Sequence, residues 1–297
     1  MKTEERHAPK YLVETQWLEQ HLDDPIIRIF DCTVNNSMNP DPEQGKTRPF
    51  VFGDDRANYT DNHIPGAGYM DILGDLSNPS ADLPMMMPSE QQFTAAMEKH
   101  GISNNTLVVL YSTPGQWAAR AWWMLRSYGF DNAVILNGGL PKWVAENRPV
   151  SNEACTYAPG TFTARSRPGV FVDKDDVLSA INDDDVLIIN SLPAMMHTGE
   201  GGGVFGRKGH ISGSVNVPFG AMHDPETAAY LSADKLEDIF AAVDADSAKR
   251  IILYCGAGIG SSNGAFALAM LGYENVAVYD ASLSEWGNDD TLPMEVG

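Results

Sequence analysis

The sequence predicts an α/β protein made of two tandem copies of one domain, each a mainly parallel sheet flanked by helices. Two observations carry this: the halves repeat one another at a fixed spacing, and in both, short apolar runs alternate with helical segments. The length of 297 residues agrees, since domains run to about 100–200 residues.

The repeat is read in several places. Leu107–Tyr111 (LVVLY) answers to Ile251–Tyr254 (IILY), Gly129-Phe-Asp-Asn132 to Gly272-Tyr-Glu-Asn275, and Asn137–Trp143 (NGGLPKW) to Asp280–Trp286 (DASLSEW). Tyr111 and Tyr254, Gly129 and Gly272, and Trp143 and Trp286 each lie 143 residues apart. His63-Ile-Pro-Gly-Ala and His210-Ile-Ser-Gly-Ser lie 147 apart, so a few residues of loop differ between the copies. Solenoid units are much shorter, which makes this a duplicated domain.

Each copy opens with a β-branched apolar run, Ile26–Phe30 or Val186–Ile189, read as a buried strand. A polar, Gly-containing stretch leads to the His-Ile-x-Gly turn. A second strand follows (Leu107–Tyr111; Ile251–Tyr254), then a tight turn into a helix (Gln116–Tyr128; Ser262–Leu271) and a third strand (Ala133–Leu136; Val276–Tyr279). Strands separated by helices pair in parallel. Ser151–Pro168 is polar and carries Pro and Gly, which marks a linker between domains at 1–150 and 169–297.

Composition excludes several classes. A formal charge of −20 repels phosphate backbones and argues against nucleic acid as a partner. The N-terminal segment MKTEERHAPKYLVETQW has no apolar core of a signal peptide, and no run is long enough to span a bilayer. Three scattered cysteines make no disulfide framework, and neither C-x-x-C nor H-E-x-x-H is present to signal zinc. The expectation is a cytoplasmic protein without a metal or organic cofactor, in which a cysteine can work as a free thiol.

In open α/β sheets ligands bind beyond the carboxyl ends of strands. In the second copy that place holds Tyr254-Cys255-Gly256-Ala257-Gly258-Ile259-Gly260-Ser261-Ser262. A cysteine facing a helix N-terminus is favoured as thiolate, and alternating glycines can turn several amides toward one centre, a nest for a thiolate, a persulfide or an anion. The first copy has Ser112 at the matching position, a far weaker nucleophile. Two rivals fit less well. As a dinucleotide fingerprint, Gly256-x-Gly258-x-x-Ser261 lacks its third glycine and leaves the cysteine unexplained. A cysteine phosphatase would need an arginine where Ser261 stands. Trp117, Trp122 and Trp123 read as core and inter-domain packing, and the methionine runs as gap-fillers.

The ordered set His63-Ile-Pro-Gly-Ala, His210-Ile-Ser-Gly-Ser, Tyr254-Cys-Gly-Ala-Gly258 and Asp280…Glu285-Trp286, in a duplicated frame, resembles the two-domain rhodanese family of thiosulfate and 3-mercaptopyruvate sulfurtransferases. The resemblance implies two rhodanese-like domains, of which only the second keeps the nucleophile. It implies transfer of sulfur from 3-mercaptopyruvate or thiosulfate through a Cys255 persulfide to cyanide, a small thiol or a protein thiol such as a thioredoxin-like acceptor. Gly256, Ala257, Gly258, Ile259, Gly260 and Ser261 would form the anion nest. His63, with Asp54 or Asp61, matches the family's proton relay, although Ala257 replaces the usual serine. The family's substrate arginine is replaced by Leu192, which leaves Arg207 as the candidate anchor for a donor's charge. The alternative is a non-catalytic rhodanese-fold binding or sulfur-relay module.

Overall fold

The computed structural model describes residues 10–41 and 50–297. In the first half the elements are β1 (Leu12–Val13), α1 (Thr15–Glu19), β2 (Ile27–Asp31), β3 (Val34–Met38), β4 (Phe50–Asp54), α2 (Arg56–Asp61) and β5 (Ala67–Tyr69). They continue with α3 (Glu90–Lys99), β6 (Leu107–Tyr111), α4 (Gln116–Ser127), β7 (Ala133–Leu136) and α5 (Gly139–Ala145). The second half runs through β8 (Phe171–Val172), α6 (Lys174–Ala180), β9 (Val186–Asn190), α7 (Ala194–His197), β10 (His210–Ile211) and β11 (Val215–Asn216). It ends with α8 (Ala233–Ala241), β12 (Arg250–Tyr254), α9 (Ile259–Met270), β13 (Val276–Tyr279), α10 (Ser282–Trp286) and β14 (Met294–Glu295).

Each half builds a sheet of wholly parallel strands, in the orders β1-β7-β6-β2-β5 and β11-β9-β12-β13-β8. The central strands read as unbroken apolar runs because helices cover both faces of a parallel sheet. Their side chains still alternate between the faces. Val108 and Leu110 of β6, with Ile251 and Leu253 of β12, enter one core that is continuous between the halves. Val109 and Tyr111 face a separate outer core in the first half, as do Ile252 and Tyr254 in the second.

The shared core is closed by α4 packing on α9. Helix α9 (IGSSNGAFALAM) is buried along almost its whole length, which explains why it is apolar or small all round rather than amphipathic. Its small residues admit the large ones of α4: Trp122 meets Phe266 edge-on at 4.9 Å. The linker forms no regular element but lies along the first half, where Phe162 packs on Phe93 and Phe130 and Arg167 grips Asp131 with two 2.6 Å hydrogen bonds.

One element departs from the expected pattern. β3 and β4 form an antiparallel hairpin where the sequence reads only as a polar stretch. Of Val34–Met38 (VNNSM) only Val34 is buried, so no alternation betrays the strand. The hairpin reaches the other half, where Phe50 meets Phe205 with ring centres 5.7 Å apart. Among the described residues no helix is long and apolar enough to cross a membrane, and no cluster of three metal-capable side chains occurs.

Candidate active site

Cys255 stands where β12 ends, and Gly258 caps α9 with a φ of 75°. That left-handed conformation is open to glycine at no steric cost. Between them the loop hangs on one hydroxyl. Ser282 Oγ accepts from the amides of Cys255 and Gly258, each at 3.1 Å, and donates to the Tyr279 carbonyl at 2.7 Å. The loop carbonyls are turned toward α10: Leu283 N donates to Cys255 O, and both the amide and the hydroxyl of Ser284 donate to Gly256 O. Among the described residues the amides of Gly256 and Ala257 meet no acceptor, and those of Ile259 and Gly260 begin a helix and have no intrahelical partner. Ser261 Oγ lies 3.6 Å from Cys255 Sγ, within reach to donate to sulfur. Such a loop can hold developing negative charge on sulfur.

Cys255 lines a cavity of about 230 Å³ whose walls come from both halves: Phe50, Phe52 and Trp117 from the first, Phe205 and Phe219 from the second, with Leu192, Pro193 and Met196. Asn36 and Gln116 are its only polar side chains among the described residues, and none of those lining it is charged. Phe205 lies against the loop so closely that a Cβ on Gly256 would stand 2.1 Å from its ring. On the other side of Phe205 a wider groove of about 790 Å³ runs past Ala257, Ser284 and Asn288.

The structure brings Gly256, Ala257, Ile259 and Gly260 to this cavity with Cys255, while Ser261 supports the sulfur from behind. Ser112 occupies the equivalent strand end but acts as a cap, its hydroxyl accepting from Ala118 N at 2.8 Å and donating to Pro114 O at 2.7 Å. Burial pushes the Cys32 thiol well up from its ordinary value and raises that of Cys155.

Two expectations are corrected by geometry. Arg207 does not reach the cavity: its guanidinium donates to the carbonyls of Leu292, Trp286 and Asp289 at 2.9, 3.0 and 2.5 Å, tying the chain around the end of α10. The His63 relay is not assembled. His63 is fully buried, with Nδ1 2.6 Å from Tyr59 O and Nε2 3.1 Å from Glu153 O, because its backbone bridges Ser151 at the start of the linker. Asp54 is exposed and lies 3.7 Å from Arg56, and Asp61 is exposed at the end of α2. None of the three lines the Cys255 cavity. What the sequence reading missed is the aromatic wall. Phe50 and Phe52 lay in an unrecognised hairpin, and Trp117 was read as packing alone.

The rhodanese-like domain family matches this chain twice, over residues 14–146 and 173–289. The chain is 32% identical over 290 residues to the 3-mercaptopyruvate sulfurtransferase of Escherichia coli K12, covering 96% of this chain and 98% of that one. It is 31% identical to the thiosulfate sulfurtransferase of Rattus norvegicus, covering 93% of this chain and 91% of the relative. A solved structure, the 3-mercaptopyruvate sulfotransferase of Escherichia coli, matches with a TM-score of 0.79 over 92% of this chain and 99% of its own. With two matched domains, the same parallel-sheet layout and relatives of this similarity along nearly its whole length, the chain belongs to the rhodanese family.

Proposed function

We propose that this sulfurtransferase carries sulfur as a persulfide on Cys255, taken from 3-mercaptopyruvate or thiosulfate and passed to a thiol or cyanide. The thiolate attacks the donor's transferable sulfur. The bond from that sulfur to the rest of the donor breaks, and its electron pair leaves on carbon to give pyruvate after protonation, or on sulfite. An acceptor nucleophile then attacks the outer persulfide sulfur and returns Cys255 as thiolate. The observation that carries the reading is the position of Cys255: a nucleophile at the mouth of a loop whose Gly256 and Ala257 amides meet no acceptor among the described residues, with a hydroxyl 3.6 Å from its sulfur. Both donors follow the names of the relatives. A free thiol of this kind suits a reducing cytoplasm, and the proposed chemistry calls on neither nucleic acid nor a membrane.

A second reading, a sulfur-relay module serving a protein thiol of thioredoxin-like type, is favoured by one observation. Leu192 replaces the family's substrate arginine, and no cation among the described residues lines the cavity, so a small anionic donor would rest on loop amides alone.

Intact-protein mass spectrometry after brief exposure to each donor tests the first reading. The expected result is a gain of one sulfur atom, removed by cyanide and absent in Cys255→Ser, with thiocyanate formation in that variant lower by at least about 10³-fold. Absence of the gain with both donors would sink the proposed donors and favour the relay module.

A further inference from the structure

Arg120 is a fully buried cation on α4, in the half that lacks the nucleophile. Its Nη2 donates to Asp280 Oδ1 at 2.6 Å and to Met85 O at 2.8 Å, while its Nε and Nη1 meet no acceptor among the described residues. Nη1 lies 2.9 Å from where a Cβ on Gly258 would stand, and the Asp280 carbonyl lies 2.7 Å from the same point. The guanidinium is therefore wedged under the left-handed turn that closes the Cys255 loop. Its other face rests on Phe171, 4.6 Å from the ring centre.

Asp280 sits two residues before Ser282, the residue on whose hydroxyl both ends of the loop hang. Ser282 itself has a φ of 52°, a conformation that non-glycine residues keep only where their surroundings impose it. Asp280 Oδ2 also accepts from Met87 N of the first half at 2.9 Å. A continuous line of contacts thus runs from Arg120 through Asp280 and the strained turn to the amides of Cys255 and Gly258.

We propose that Arg120 is a positioning residue for Cys255: its ion pair with Asp280 sets the Asp280–Ser282 turn and hence the aim of the loop amides at sulfur. The proposal rests on the sulfurtransferase reading for its rate consequence, but its effect on the thiol does not. Neutralising Arg120 slackens the turn and leaves donor binding in the aromatic cavity intact. Misplacement on the scale of 1 Å costs up to about 100-fold in rate.

The test is Arg120→Gln, compared with Arg120→Lys and Ser282→Ala. In Arg120→Gln, kcat for thiocyanate formation should fall at least about tenfold with donor KM within about twofold, a pattern that loss of folded protein does not produce in active-site-titrated samples. Alkylation of Cys255 by iodoacetamide, followed at that residue by mass spectrometry, should slow in parallel, and Arg120→Lys should restore part of both rates. Arg120→Gln and Ser282→Ala should be non-additive when combined, since they break one line of contacts. Should Arg120→Gln fail to fold with Asp280 left unpaired, the double replacement Arg120→Met/Asp280→Leu removes both charges without leaving a lone buried one and carries the same expectation. Parental kcat and alkylation rate in either folded variant, with only a lowered melting temperature, would overturn the proposal. The alkylation comparison needs no sulfur donor, so it stands even if Cys255 loads sulfur from neither compound.

Discussion

Cys255 and Ser112 occupy equivalent strand ends, and one atom separates their roles. The serine hydroxyl turns inward and caps α4, whereas sulfur, a poor hydrogen-bond acceptor, is left beside the Gly256 and Ala257 amides, which meet no acceptor among the described residues. The cysteine, the glycine spacing behind it and the matching serine were legible in the sequence, because a strand-to-helix turn constrains residue types locally. Arg207 was not. A lone arginine in a glycine-rich loop carries no mark of whether it faces a ligand or three carbonyls. Its role predicts that Arg207→Ala leaves donor KM unchanged while lowering unfolding free energy by about 1.5–3 kcal/mol, the range for hydrogen bonds to charged groups. Steady-state kinetics and urea unfolding on the same sample decide it, and a raised KM would return Arg207 to the site.

Elements explain what the sequence hid. Strands β2, β6, β7, β9, β12 and β13 fall within a residue of the apolar runs that predict them. The β3–β4 hairpin hid because β3 is exposed and polar beyond Val34, while backbone pairing sets β4 so that Phe50 and Phe52 reach the cavity. Helix α9 begins three residues earlier than expected, since Gly258 caps it and Gly260 lies within its first turn. A different device holds the end of α3. Asp75 takes hydrogen bonds from His100 at 3.0 Å and Lys99 at 2.8 Å, and these partners, the His100 bond foremost, lower its carboxyl to about 2. A depressed carboxylate stabilises the fold at pH above its unfolded value of 3.8, and that contribution is lost as pH falls from there toward 2. Asp75→Asn should therefore cost about 1–2 kcal/mol at pH 7, allowing for the exposure of Lys99, and nearly nothing at pH 2. Denaturant unfolding at the two pH values measures the difference, and an equal cost at both would remove the charge from the explanation.

For the molecule as a whole, the duplication was legible because it repeats in spacing. The shared core was not, because contacts between halves leave no periodic trace. Val108, Trp122, Leu253 and Phe266 belong to one cluster, so the halves should not unfold independently. Calorimetry should show a single transition with matching calorimetric and van't Hoff enthalpies. Trp122→Ala should destabilise the protein by about 3–5 kcal/mol without splitting that transition. Two resolved transitions in the parent protein would refute the coupling.

The cavity around Cys255 takes Phe50, Phe52 and Trp117 from one half and its nucleophile from the other. The half that carries Cys255, standing alone, would present an open aromatic face and bare the flank of α9 that α4 now covers. Exposed apolar faces of that kind invite unwanted contact with other molecules. The first copy, carried in the same chain, supplies the aromatic wall at fixed stoichiometry, which makes it a tethered subunit rather than a relic.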